Sequence, residues 1–147
     1  FNAMLSTRIE KSFGIWSAEF TQDRTPAMTA MDRWIDWDKP DFIGKAAAVS
    51  ERNGNGPEKI QVTLEIENGD ADASGYEPIW SEAGDMIGFV TSGAFGHTVN
   101  KSLAMALIEP ALASVGTHVM VHVVGVERRA KVIAPSPYDP KGMAMRM

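Results

Sequence analysis

The run Arg8-Ile9-Glu10-Lys11 carries the most direct chemistry this sequence offers. In an extended segment, Arg8 and Glu10 project to one face and Ile9 to the other. An arginine clamps a carboxylate through two parallel hydrogen bonds, and a glutamate accepts from a ring N–H. Trp16, shortly downstream, offers a flat surface for stacking. Arg8, Glu10 and Trp16 together suit a ligand with carboxylates at one end and a hydrogen-bonding ring at the other. The same residues also suit a structural Arg–Glu ion pair in a packed segment, and spacing alone leaves both readings open.

Other candidates fall on geometry. His118 and His122 would face one metal on a helix, but the surrounding Val119, Val121 and Val123 alternate as in a strand. Four strand steps separate the two rings by roughly 13 Å, beyond the reach of one ion. Gly93 to Ser102 ends in Lys-Ser like a phosphate loop, yet Asn100 stands where the glycine before the lysine is required. A tight connection between strands, with Lys101 solvated or capping a carbonyl, accounts for that stretch. No Ser/His/Asp set and no carboxylate pair can be assembled, so neither a catalytic residue nor a metal ligand is nominated.

The elements that must position these residues divide near residue 56. Residues 1–56 form an arm rich in large rings: Phe13, Trp16, Phe20, Trp34, Trp37 and Phe42. Such an arm needs a surface to lie against. Residues 1–4, with their Asn-Ala-Met string, read as a remnant ahead of an internal start. Thr25-Pro26 opens a stretch suited to one helical turn. Asp41 as cap, the alanine run and the Asn53-Gly54 stop predict a short helix near 42–52. Residues 51–57 then make a Gly/Asn linker.

Residues 57–147 change to period two. Ile60, Val62, Leu64 and Ile66 alternate with polar neighbours, a half-buried strand. Pro78–Trp80 and Met86–Thr91 read as two more. Val119–Val123 and Arg129–Ile133 read as a hairpin about Gly125. Ser102–Ile108 (SLAMALI) favours helix by propensity, but its length and its strand-like neighbours favour a strand. The expected fold is mainly β: a six-stranded Greek-key or jelly-roll-like barrel preceded by an arm with one or two short helices.

The chain has 147 residues, 44% apolar and 22% charged, the size of about one domain. A net charge of -5 argues against nucleic acid or an anionic membrane as partner. With no cysteine, disulfides and thiolate chemistry are excluded. No apolar run approaches the ~20 residues that span a bilayer, and no secretion signal opens the chain. A soluble, cytoplasmic protein is expected.

Arg8-Ile9-Glu10-Lys11, followed by Phe13, Gly14, Trp16 and Glu19, resembles the glycine cleavage T-protein (aminomethyltransferase) family. The resemblance continues through Thr25-Pro26 and 41–45. It is strongest at 87–93 and 101–106, and closes with Gly116-Thr117, Arg129-Ala130 and 137–140. The arm, at 35–39 in particular, is most similar to bacterial flavoproteins that oxidise dimethylglycine or sarcosine. The resemblance implies the C-terminal barrel of a three-domain unit that holds tetrahydrofolate. There the folate accepts a one-carbon unit from an aminomethyl or N-methyl amine donor. It also implies that the acid residue of the transfer lies in an absent N-terminal domain, the expected partner, and that FAD can belong to another such domain. Arg8 is the best carry-over, while Phe13 stands where many members have tyrosine. On this expectation the chain is inactive alone. Alternatives are a non-catalytic β-barrel interaction domain or a component of a folate-dependent demethylase.

Overall fold

Six antiparallel strands close into a barrel in the computed structural model, which describes residues 2–67 and 69–146. The strands are β1 (Ile60–Ile66), β2 (Pro78–Trp80), β3 (Met86–Gly96), β4 (Lys101–Ile108), β5 (His118–Val123) and β6 (Val126–Ile133). Around the barrel their order is β1-β4-β3-β2-β5-β6, with β6 pairing back to β1. Closure removes the exposed sheet edges that an open sheet would carry. The Greek-key expectation is met.

Alternation decides which side chains enter the barrel. Val62, Leu64 and Ile66 from β1 meet Val119, Val121 and Val123 from β5, with Ile79, Ile87, Val90, Ala106, Ile108 and Val132. Gly88 is required where β3 crosses β4, because a Cβ there would stand 2.0 Å from the Leu107 carbonyl oxygen. The β5–β6 turn, at Val124 and Gly125, has φ of 50° and 75°. Two positive φ values match the twist of a two-residue hairpin, although a β-branched valine resists that conformation.

SLAMALI lies within β4, a strand buried on both faces. Ala104, Ala106 and Ile108 face the interior, while Leu103 and Met105 pack outward with Ile9. Double burial explains why the segment shows no polar alternation.

The outer cover is α1 (Asn2–Glu10), and this corrects the extended reading of Arg8 to Glu10. Residues two apart on a helix point about 200° apart, so Arg8 and Glu10 cannot share a face. Asn2–Met4 belong to this helix. Ser6 Oγ donates to the Phe95 carbonyl at 2.6 Å, tying α1 to β3. The far end of α1 is held by the tail, where Tyr138 N–H donates to Glu10 O and Lys11 Nζ donates to Asp139 O.

The arm's second helix, α2, covers Lys45–Asn53. Its cap is Gly44, with φ 91° and no side-chain bond, and not Asp41 as the sequence predicts. Lys45 Nζ donates to the Trp37, Lys39 and Pro40 carbonyls and so fixes the approach to the helix. At Pro26 the expected helical turn is a compact turn, where Thr29, Met31 and Asp32 N–H all donate to Pro26 O.

Candidate functional site

Arg8 runs from α1 into the seam between arm and barrel and is 8% exposed. Its Nη1 donates to Phe13 O at 3.0 Å and to Glu19 Oε2 at 3.3 Å. An Arg–Glu pair therefore exists, but its glutamate is Glu19 and not Glu10. Glu19 is 1% exposed, a position that strongly disfavours a lone charge. Four donors offset that burial. Oε2 also accepts from Ile15 N–H at 3.0 Å, while Oε1 accepts from Thr91 Oγ1 at 2.6 Å and from Ser92 Oγ.

The fold explains how two consecutive β3 residues reach one carboxylate. In a regular strand Thr91 and Ser92 would point to opposite faces. The β3–β4 register slips between Val90 and Ser92, leaving Thr91 as the extra residue of a bulge. A bulge re-aims side chains, and here it turns both hydroxyls toward Glu19. A carboxylate amid rings at Phe13, Trp16 and Phe20 was the available signal for Glu19. Spacing could not show it, because the return of the 15–20 loop to α1 is a tertiary event.

Glu10 has a separate anchor. Its Oε1 accepts from Thr98 N–H and from Val99 N–H at 3.1 Å. The 97–100 turn, which resembles a phosphate loop in sequence, thus offers its amides to the chain's own carboxylate. Lys101 pairs with Glu65 at 2.7 Å. His118 and His122 sit on β5, and among the described residues no acidic, histidine or cysteine cluster suits a metal. Trp16 is 69% exposed and joins neither Arg8 nor Glu10. The structure therefore places the three predicted residues in three different environments.

A crevice of about 450 Å³ opens between arm and barrel, walled by Phe13, Phe20, Met31 and Ile133, with Arg33 and Gln61 among its lining. Gln61 Oε1 is buried without a hydrogen-bond partner among the described residues. Arg8 does not line the crevice but holds Phe13 O, so it fixes the wall from behind. Arg8 Nε also lacks a partner among the described residues.

Residues 59–139 match the family model for the glycine cleavage T-protein C-terminal barrel domain, more than half of the chain. The chain belongs to that family. It is 34% identical over 132 residues to mitochondrial dimethylglycine dehydrogenase of Rattus norvegicus, covering 89% of this chain and 15% of that protein. Against an aminomethyltransferase of Thermosynechococcus vestitus it is 33% identical over 116 residues, 79% of this chain and 31% of the other. The crystal structure of glycine cleavage system aminomethyltransferase T from Bartonella henselae superposes with a TM-score of 0.84 at 25% identity. That match covers 94% of this chain and 38% of the other. This T-protein barrel chain thus spans a third or less of these curated relatives. Among the described residues no helix is long and apolar enough to cross a membrane.

Proposed function

We propose that this chain is the C-terminal unit of a tetrahydrofolate-dependent aminomethyltransferase-family protein. In this reading it supplies one wall of the folate cavity for one-carbon transfer from an aminomethyl or N-methyl amine donor. The observation that carries the reading is the arm–barrel crevice: an apolar, ring-lined recess with a cation and an orphaned buried acceptor. Folate has a matching form, with an aromatic body, ring N–H groups and terminal carboxylates. Phe13, Phe20 and Met31 would flank the body, Gln61 Oε1 would accept from an N–H, and Arg33 would pair with a carboxylate.

The residues singled out from sequence take distinct parts in this reading. Trp16 offers its exposed ring as a stacking surface. Arg8 is a positioning residue that holds the Phe13 wall through its carbonyl. Glu10 is a positioning residue that holds α1 to the 97–100 turn. Tetrahydrofolate, when bound, supplies the acceptor for the one-carbon unit. No acid or base of this chain is assigned to the transfer, which is given to N-terminal domains of the parent protein. The dimethylglycine dehydrogenase relative favours an N-methyl amine donor and a flavin domain elsewhere in the parent. The reading places the protein in the cytoplasm, supported by bacterial aminomethyltransferases among its relatives.

Calorimetric titration of tetrahydrofolate into the full-length protein and into this chain alone tests the proposal. The full-length protein is expected to bind at least about tenfold more tightly, a difference of ~1.4 kcal/mol. Equal affinities would show that no other domain is needed. A full-length protein that ignores folate would end the reading.

A further inference from the structure

We infer that Asn55-Gly56, in the connection from α2 to β1, is a self-modifying site that deamidates with water as its only co-reactant. Three Asn-Gly pairs occur in the chain: Asn53-Gly54, Asn55-Gly56 and Asn68-Gly69. The reaction needs a backbone nitrogen free to attack the preceding asparagine side chain. The structure separates the first two pairs on that criterion, and Asn68 lies outside the described residues.

Asn53 is the last residue of α2, and Gly54 N–H donates to the Ser50 carbonyl at 3.0 Å. Attack by the Gly54 nitrogen requires that bond to break and the helix end to open. Asn55 and Gly56 are both exposed, and Gly56 N–H has no hydrogen bond among the described residues. Apart from its chain neighbours, no heavy atom lies within 4 Å of where a Gly56 Cβ would stand, so that side of the residue is open.

The chemistry balances without an oxidant or a reductant. The Gly56 nitrogen forms a bond to Asn55 Cγ, the Cγ–Nδ2 bond breaks, and ammonia leaves with the amide proton. Water then opens the resulting ring at either carbonyl, leaving aspartate or isoaspartate. Either product adds a negative charge close in sequence to Arg52. That guanidinium lies 4.6 Å from the Trp37 ring centroid, in a hollow that Gly56 and Pro57 also line. Isoaspartate also lengthens the backbone just before β1. The modification therefore alters the junction of arm and barrel while leaving the barrel interior untouched.

The test is peptide mapping by mass spectrometry after incubating the full-length protein in mildly alkaline heavy-oxygen water. Asn55 is expected to convert about tenfold faster than Asn53, equivalent to ~1.4 kcal/mol for freeing the Gly54 amide. Heavy oxygen should enter at Asn55, and Asn55→Gln should abolish the product. A synthetic peptide of residues 50–58, lacking the helix, should react at both pairs at similar rates. Equal rates in the folded protein, or faster reaction at Asn53, would overturn the inference. So would an Asn55 that stays intact while the peptide is consumed.

Discussion

Inside the barrel, Leu64, Ile79 and Val90 are each 0% exposed, whereas Trp16, Trp34 and Ile43 of the arm are 69%, 73% and 105% exposed. The two regions use similar side chains to different ends. The barrel satisfies its own strands and fills its own interior. The arm is fastened to it through polar contacts and the Ile9 cluster with Leu103 and Met105, while large rings are left facing outward. In the proposed reading these exposed rings would lie against N-terminal domains of the parent protein. The most buried of the polar contacts is Glu19, reaching from the 15–20 loop to the β3 bulge.

The largest expected effect breaks the fastening. Glu19→Ala leaves Arg8 buried without its partner and should cost about 3–5 kcal/mol in denaturant unfolding. A loss confined to a few tenths would mean the arm is held by its other contacts, those of Ser6, Ile9 and Glu10. Leu64→Ala, in the barrel interior, should cost about 2–5 kcal/mol through the cavity it leaves. A smaller gain is expected at the hairpin. Val124→Asn places a residue that tolerates positive φ at the β5–β6 turn and should raise stability by about 1 kcal/mol, read from the same unfolding curves. Trp16→Ala should change stability by less than about 0.5 kcal/mol, because the ring has little burial to lose.

The smallest expected effect concerns pH. Asp70 accepts a hydrogen bond from Arg128, which holds its carboxyl below the ordinary 3.8, aided by a backbone hydrogen bond and the guanidinium charge. A depressed carboxylate stabilises the fold above its unfolded pKa, and the contribution disappears as pH falls through the folded value. Melting curves of Asp70→Asn should therefore differ slightly from the parent at neutral pH and converge with it in strong acid. A gap that persists in acid would assign the contact to packing.

The barrel was legible in the sequence because period-two alternation reports one buried face. At Ile60–Ile66 and Val119–Val123 that report is direct. SLAMALI was ambiguous because both of its faces are covered, and only the length of the run and its neighbours pointed to a strand. β3 runs past Thr91 to Gly96, since bulged strands lose the alternation that would extend them. The arm was less legible. Arg8 and Glu10 are chemically informative residues, but their helical setting sends them to different partners. Glu19, Arg33 and Gln61 gain their places through contacts distant in sequence, which spacing does not encode.

The proposed function requires the crevice between these two regions to accept folate. Its most direct test is the tetrahydrofolate affinity of the full-length protein carrying Arg33→Gln, at unchanged melting temperature. Loss of a charge-assisted bond predicts binding weaker by about tenfold or more. Unchanged affinity in a folded Arg33→Gln protein would contradict it.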